Sequence, residues 1–186
     1  MIIYIHGFGG SGQGSKARLL RSYFHSIEED FIAPSLSYVP ELAIETLKEL
    51  IESYHGNVSL IGSSLGGYYA TYLSNMKEVK KIILINPATH PRNTLKRALG
   101  SGENFYDSSS YEWNEKHIEM LQMYERDVSS ELENYMVLLQ KGDEFLDYRD
   151  ATQKYDGAKV IVEDGGNHSF EGIENYFEQM REFLEV

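Results

Sequence analysis

The chain has 186 residues, of which 41% are apolar and 25% are charged, and its formal net charge is −12. This length suits one domain with a sizeable core. The acidic balance, with no basic cluster, argues against a nucleic-acid or anionic-membrane surface. Cysteine is absent, which excludes disulfides, thiol catalysis and thiolate metal sites. Nothing resembles a signal peptide or the roughly 20 apolar residues of a membrane span, so we expect a soluble, cytoplasmic protein.

Six apolar, β-branched runs alternate with helical patterns along the chain, which predicts an α/β fold. The runs are nearly continuous, as expected for strands buried on both faces of a parallel sheet. Right-handed crossovers would then place helices on both faces of that sheet. The predicted strands are Ile2–Ile5, Phe31–Leu36, Val58–Ile61, Ile82–Ile85, Tyr135–Leu139 and Lys159–Val162, and the predicted helices are Lys16–Ile27, Pro40–Tyr54, Leu65–Ser74 and Gly172–Leu184.

A segment of roughly 45 residues, 89–134, separates the fourth and fifth predicted strands and is far longer than an ordinary loop. It contains an amphipathic stretch, Tyr111–Tyr124, and aromatic residues such as Phe105 and Trp113. We interpret 89–134 as a helical cap inserted above the sheet, within a single domain that spans residues 1–186. The aromatic side chains suggest an apolar acyl group in the substrate, although such side chains more often serve burial in a core.

The chain passes from a strand pattern to a helical pattern almost without a loop at residues 62–66, GSSLG, which fit the motif G-x-S-x-G. A strand-to-helix turn this sharp strains the central serine and crowds the positions two before and two after it, so that only very small residues fit there. The turn lifts the serine above the carboxyl ends of the strands, at the N-terminus of a helix. Ser64 is therefore the candidate nucleophile, and Ser63 is not.

A nucleophilic serine needs a general base, and the sequence offers six histidines. His168 is the best candidate, because its glycine-rich loop, EDGGNHSF, follows the last predicted strand and therefore lies at the same edge of the sheet as Ser64. His6 ends the first strand, where a structural role is expected. The other histidines lie in or beside predicted helices or in the cap: His25, His55, His90 and His117.

The base in turn needs a carboxylate that holds its tautomer and stabilises the imidazolium. Asp143 is the first carboxylate after the fifth predicted strand and is our choice for this acid, with Asp147 as the alternative. Glu144 and Asp150 are expected to face solvent on the helix that follows. The order serine, aspartate, histidine along the chain is that of the α/β hydrolases.

The loop after the first strand, HGFGGSGQGSK, can supply the remaining part of a hydrolase site. A tight turn there can aim a backbone N–H group at an oxyanion, and we expect the N–H groups of Phe8 and Leu65 to act together. Residues Gly7–Gly12 also fit the G-x-G-x-x-G pattern of dinucleotide-binding proteins. That alternative is weaker, because the second predicted strand ends PSLS, without the acidic residue that would hold a ribose.

The whole pattern resembles the small bacterial YqiA-like esterases of the α/β-hydrolase superfamily. The resemblance runs along nearly the entire chain and is carried by the segments YIHGFGGSGQGSKA, LIGSSLGGYYATYL, LINPATHP, LLQKGDEFLDYRDA and GGNHSFEG. It implies a compact α/β-hydrolase fold, with about six parallel strands, helices on both faces and a helical cap.

The resemblance also implies hydrolysis of carboxylic esters or acyl thioesters without a cofactor. It assigns Ser64 as nucleophile, Asp143 as acid and His168 as base, in agreement with the roles inferred from the residues themselves. We therefore expect a serine hydrolase that forms an acyl-enzyme on Ser64, acts on a small-molecule ester or thioester, and uses neither a metal nor nucleic acid. The alternative classes are a non-catalytic binding protein of the same fold and, less favoured, a dinucleotide-binding protein.

Overall fold

The computed structural model describes residues 1–128 and 130–186, and its centre is a six-stranded sheet. The described residues form eight strands, of which β5 and β6 make a separate two-stranded sheet. The eight strands are β1 (Ile2–Ile5), β2 (Phe31–Ile32), β3 (Val58–Ser63), β4 (Val79–Ile85), β5 (Gly100–Glu103), β6 (Ser110–Trp113), β7 (Tyr135–Gln140) and β8 (Lys159–Glu163). The central sheet has the order β2-β1-β3-β4-β7-β8, and all of its neighbouring strands are parallel. The predicted parallel α/β architecture is confirmed.

Helices connect the strands and cover both faces of the sheet, as the alternation of patterns predicts. The helices are α1 (Ser15–Ser26), α2 (Pro40–Ser53), α3 (Leu65–Leu73), α4 (Pro91–Thr94), α5 (Glu115–Gln122), α6 (Tyr148–Lys154) and α7 (Phe177–Leu184), with 3-10 turns at Leu95–Ala98, Leu132–Asn134 and Ile173–Tyr176. In the described part of the chain, no helix combines the length and hydropathy that crossing a membrane requires.

The core lies in two layers, one on each face of the sheet, because successive side chains of a strand point to opposite faces. In β1, Ile3 and Ile5 pack with α2, α3 and α5, whereas Ile2 and Tyr4 pack with α1 and α7. Helix α2 begins with Pro40 in its first turn, where the fixed φ of proline suits a helix and no N–H group is lost. Its buried residues are Pro40, Ala43, Ile44, Leu47 and Ile51.

Two predicted elements, the second strand and the last helix, differ most from their observed bounds, and the others agree to within three residues. The second strand was expected over Phe31–Leu36 but pairs with β1 only through Phe31 and Ile32. Pro34 has no N–H group to donate to a ladder, so β2 stays a short edge strand. The last predicted helix begins as the 3-10 turn Ile173–Tyr176 before it continues as α7.

The interpretation of residues 89–134 as a helical cap is wrong in one respect, because the segment contains an antiparallel hairpin. Strands β5 and β6 pair from Gly100 with Trp113 to Glu103 with Ser110. The amphipathic stretch predicted over Tyr111–Tyr124 is therefore split into the end of β6 and helix α5. Asn114 marks the division, since its side chain accepts a hydrogen bond from Lys116 N–H and caps α5. Residue 129 of this segment lies outside the described residues.

The tip of the hairpin packs on the glycine-rich loop that follows β1. Phe105 N–H donates to the Gly9 carbonyl at 2.8 Å, and the Asn104 side chain donates to the Gly10 carbonyl at 2.8 Å. The Phe8 ring contacts the Trp113 ring edge-on, with centroids 4.7 Å apart. These contacts make the hairpin a wall of the site at the carboxyl edge of the sheet.

The buried and exposed faces of helix α2 predict different effects of two leucine substitutions on stability. Leu47 is fully buried, whereas Leu42 on the same helix is 56% exposed. Leu47→Ala is expected to lower the free energy of unfolding by about 2–5 kcal/mol, because it leaves a cavity in the core. Leu42→Ala, the matched control, is expected to change it by less than about 0.5 kcal/mol. Urea denaturation followed by circular dichroism measures both, and equal losses would contradict this packing.

Candidate active site

Ser64 sits at the junction of β3 and α3 in a strained backbone conformation, with φ of 54° and ψ of −120°. A positive φ is uncommon for any residue other than glycine and costs about 1–3 kcal/mol. Hydrogen bonds hold the strained residue: its N–H donates to the Ile85 carbonyl at 3.1 Å, and its carbonyl accepts from Gly67 N–H at 2.9 Å and from Ala88 N–H at 3.0 Å. The abrupt turn predicted at Ser64 is therefore present.

The glycines around Ser64 are required by close backbone approach. A Cβ atom at Gly62 would collide with the Gly66 carbonyl, and one at Gly66 would collide with the Ile5 carbonyl of β1. A Cβ atom at Gly67 would lie 2.7 Å from Pro87, in the loop after β4. The predicted crowding two residues before and after the serine is confirmed, and Gly67 permits close packing against Pro87.

A continuous chain of hydrogen bonds joins Ser64, His168 and Asp143. With its proton on Nδ1, His168 donates to Asp143 Oδ2 at 2.8 Å, and its Nε2 accepts from the Ser64 hydroxyl at 3.0 Å. The Asp143 side chain is 2% exposed and that of His168 is 23% exposed. The three residues come from the ends of three different strands, and the structure brings all three together.

The two aspartates considered for the acid have different surroundings. Asp143 Oδ1 accepts hydrogen bonds from Phe145 N–H at 2.8 Å and Leu146 N–H at 2.9 Å, which fixes the carboxylate and leaves Oδ2 for His168. Asp147 instead caps α6 and pairs with Arg149 at 2.7 Å. This pairing lowers the pKa of the Asp147 carboxyl. Asp147 therefore has a local role as a helix cap.

Several residues that support His168 were not singled out from the sequence. The Asn86 side chain donates to the Asn167 carbonyl at 3.0 Å and accepts from Gln140 N–H at 2.9 Å. The Gln140 side chain accepts from Asn167 N–H at 3.1 Å and Glu171 N–H at 2.9 Å. Buried amides with several partners of this kind fix the ends of β4 and β7 to the loop that carries His168.

Glu144 was expected to face solvent on a helix, and this expectation is only half right. The residue is exposed, but it precedes α6 and is not helical. Its carboxylate accepts a hydrogen bond from His168 N–H at 2.9 Å, which lowers the pKa of the Glu144 carboxyl. Glu144 therefore anchors the backbone of His168. Asp150 is exposed on α6, as expected.

Two backbone N–H groups near Ser64, those of Phe8 and Leu65, are left without a protein acceptor in the described residues. Leu65 is the first residue of α3, where N–H groups have no partner within the helix. A Cβ atom at Gly7 would lie 3.1 Å from Ser64 Cβ, so the loop that carries Phe8 runs directly against the serine.

The glycines of the loop after β1 have packing roles. Gly10 N–H donates to the Gly7 carbonyl at 3.1 Å, which closes a tight turn. A Cβ atom at Gly12 would collide with the Ala33 carbonyl beside β2. Gly9 has φ of 67°, a conformation that favours glycine. Packing within the protein therefore accounts for the glycines that fit the dinucleotide-binding pattern, and no bound phosphate is needed to explain them.

A cavity of about 700 Å³ opens beside the Ser64 hydroxyl. Its apolar wall includes Phe105, which is 84% exposed, and Phe145, which is 48% exposed. Phe145 also contacts the His168 ring edge-on, with centroids 5.2 Å apart. The polar and charged side chains of the wall are His6, Ser11, Ser15, Lys16, Ser63, Ser64, Glu144, His168, Ser169, Glu171 and Glu174. The site therefore combines exposed aromatic surface with a wall rich in polar side chains.

Two other histidines, His6 and His117, are buried and are held by local contacts. His6 Nδ1–H donates to the Gly7 carbonyl at 2.8 Å, and its Nε2 accepts from Leu36 N–H at 2.9 Å. His117 stacks on Trp113 and accepts a hydrogen bond from Asn114 N–H as part of the capping of α5. The structural role expected of His6 is confirmed.

The sheet order, the strained serine and the histidine after the last strand define an α/β-hydrolase fold. Alpha/beta hydrolase domain-containing protein 10 from mouse superposes with a TM-score of 0.78 at 18% identity, covering 99% of this chain and 89% of that one. Est1E from Butyrivibrio proteoclasticus, solved with ferulic acid bound, superposes with a TM-score of 0.75 at 15% identity, covering 98% of this chain and 87% of that one.

The family model of UPF0227, described as an uncharacterised protein family, matches residues 1–185, and the chain belongs to this family. A UPF0227 protein of Vibrio vulnificus strain CMCP6 is 25% identical over 190 residues, covering 100% of this chain and 99% of the relative. The resemblance to the YqiA-like family, inferred from the motifs, is confirmed.

The buried, neutral His6 makes a prediction about stability and pH. Burial lowers the pKa of His6, while the bond to the Gly7 carbonyl acts in the opposite direction. The unfolded chain binds a proton at this histidine more readily than the folded protein does below about pH 6.5. The free energy of unfolding is therefore expected to fall as pH drops below 6.5, by at most about 1.4 kcal/mol per pH unit from this residue.

Urea denaturation at several pH values tests this contribution in the wild type, His6→Gln and His55→Gln. His6→Gln is expected to flatten the slope below pH 6.5, and the exposed His55 serves as the matched control. Burial also lowers the pKa of His117, so part of the slope should remain in His6→Gln. Identical slopes in all three proteins would contradict the prediction.

Proposed function

We propose that the protein is a serine hydrolase that cleaves carboxylic esters or acyl thioesters through an acyl-enzyme on Ser64. The observation that carries the proposal is the hydrogen-bond chain from the Ser64 hydroxyl through His168 to the buried Asp143 carboxylate. A serine on a strained strand-to-helix turn, bonded to such a pair, has the components of an activated nucleophile. The fold that the chain shares with a monoacylglycerol lipase and with the Pyrococcus furiosus esterase Pf2001 supports the reaction class by analogy of fold.

In the proposed mechanism, His168 Nε2 takes the Ser64 proton as the Oγ atom attacks the acyl carbonyl. The resulting imidazolium is stabilised by Asp143, which accepts its Nδ1–H bond. The N–H groups of Phe8 and Leu65 stabilise the oxyanion of the tetrahedral intermediate. Collapse of that intermediate leaves an acyl group on Ser64 and releases the alcohol or thiol. The leaving group receives its proton from His168. Water, deprotonated by His168, then releases the acid and restores the serine.

The surroundings of the serine favour a small substrate with apolar character. The side chains of Phe105 and Phe145 flank the entrance of the cavity, and exposed aromatic surface of this kind is typical of a binding site. The site requires no group beyond this chain's own residues for ester cleavage.

Localisation in the cytoplasm remains a prediction from the sequence.

The activated serine is tested with a fluorophosphonate probe, followed by peptide mapping by mass spectrometry. We expect one adduct on Ser64, with labelling lost in Ser64→Ala and reduced by several orders of magnitude in His168→Ala. Ser169→Ala is the matched control, because this exposed serine lines the same cavity outside the hydrogen-bond chain. Absence of an adduct on folded protein would favour the non-catalytic binding protein instead.

The choice of acid is tested by two isosteric substitutions. Asp143→Asn is expected to lower kcat for 4-nitrophenyl butyrate by about 10³- to 10⁴-fold, because an amide does not hold the histidine in its required tautomer. Asp147→Asn is expected to change kcat by less than about threefold, since asparagine caps a helix nearly as well as aspartate. Equal losses in the two variants would contradict the assignment of Asp143.

A further inference from the structure

Lys16 is a basic side chain in the wall of the cavity beside Ser64, at the start of α1. Its Nζ donates to the Ser63 hydroxyl at 2.8 Å. Ser63 is buried and directly precedes the proposed nucleophile. The ammonium therefore lies in the same cavity as the reacting groups, although the proposed mechanism does not use it.

The ammonium of Lys16 lacks a counter-ion in the protein. No carboxylate of residues 1–128 or 130–186 forms an ion pair with Nζ, and its hydrogen bond goes to a neutral hydroxyl. Burial lowers the pKa of Lys16 to about 8, so the side chain remains mostly protonated at neutral pH. The negative charge of Asp143 opposes this lowering of the pKa, but that carboxylate accepts its hydrogen bond from His168 and forms no ion pair with Nζ. Buried cations are rare unless they are paired.

An ammonium carries three N–H donors, and Ser63 takes one of them. A substrate anion in the cavity would accept from the others and would neutralise a charge that the fold leaves unpaired. A charge-assisted hydrogen bond in a partly desolvated site is about twice as strong as a neutral one.

We propose that Lys16 binds a carboxylate of the substrate, so that the preferred esters or thioesters carry one negative charge near the scissile bond. This inference rests on the proposed function and specifies its substrate class. Lys16 acts as a specificity-determining residue: it binds the substrate and takes no proton in the reaction.

Three acidic side chains of the same cavity limit the charge that the site accepts. Glu144, Glu171 and Glu174 are exposed to solvent, which screens them. Glu144 and Glu171 are also hydrogen-bonded, to His168 N–H and to the Asn167 side chain. A single carboxylate against Lys16 is compatible with these groups, whereas a polyanion such as a polyphosphate would be repelled.

Two pairs of esters test the proposal, one for each side of the scissile bond. The acyl pair is 4-nitrophenyl hydrogen glutarate and the uncharged 4-nitrophenyl pentanoate, and the alcohol pair is 4-acetoxybenzoate and 4-acetoxybenzamide. The wild type is expected to favour the charged member of one pair at least tenfold in kcat/KM, mainly through a lower KM. The pair that shows the preference tells whether the acyl or the alcohol part carries the carboxylate.

Lys16→Met and Lys16→Gln are both expected to abolish that preference and to leave the uncharged ester within about threefold of the wild type. Lys16→Gln keeps a donor for Ser63, so it separates loss of charge from loss of this hydrogen bond. The proposal is overturned if neither pair shows a preference, if the preference survives in both variants, or if Lys16→Met lowers charged and uncharged esters equally. Equal loss, rescued by Lys16→Gln, would mean that Lys16 positions Ser63.

A binding measurement keeps this test separate from the proposed chemistry. Isothermal titration of the charged esters into Ser64→Ala, with and without Lys16→Met, reports recognition in the absence of turnover. The proposal is supported if the charged esters bind more tightly to Ser64→Ala than to the double variant Ser64→Ala/Lys16→Met. This result would support the role of Lys16 even if the wild type cleaves no ester and the proposed hydrolase function fails. Binding unaffected by Lys16→Met overturns the proposal.

Discussion

The site depends on the strained backbone of Ser64 between β3 and α3. A residue with φ of 54° is stable here because its N–H and carbonyl groups are bonded to Ile85, Gly67 and Ala88, and because neighbouring glycines allow β1 and α3 to come close. The cost of about 1–3 kcal/mol for such a conformation is offset by the surrounding core. The hydroxyl is thereby held at the carboxyl edge of the sheet, so that the proposed nucleophile is positioned before any substrate binds.

His168 lies on a loop, so no strand or helix fixes the position of its ring. Backbone flexibility there would move its ring away from the serine, and the structure counters this with buried amides. Asn86 and Gln140 together bond to the backbone of Asn167 and Glu171, on both sides of His168. Glu144 holds His168 N–H. The loop is thereby attached to the ends of β4 and β7, which are rigid parts of the fold.

The sequence predicts the parts of this protein that have local signals. The strand before each of Ser64, Asp143 and His168 is a nearly continuous apolar run that can be recognised from the sequence. Their meeting at one edge of the sheet then follows from the parallel topology. The β5–β6 hairpin could not be predicted in this way, because Gly100 and Gly102 weaken its strand pattern and its tip is held by contacts with the distant β1–α1 loop. The roles of Gln140 and Lys16 likewise depend on partners far away in the chain.

One continuous segment, from His6 to Lys16, forms much of the wall of the cavity that His168 also lines. His6 fixes it to Leu36, and Gly12 allows it to lie against Ala33, so the segment is held from outside the site. Phe8 contributes an unused N–H group near one end of the segment, and Lys16 contributes an ammonium at the other. Stabilisation of an oxyanion and recognition of a carboxylate would then depend on the same loop conformation. Because both groups favour negative charge, the segment provides positive potential locally in a chain whose net charge is −12.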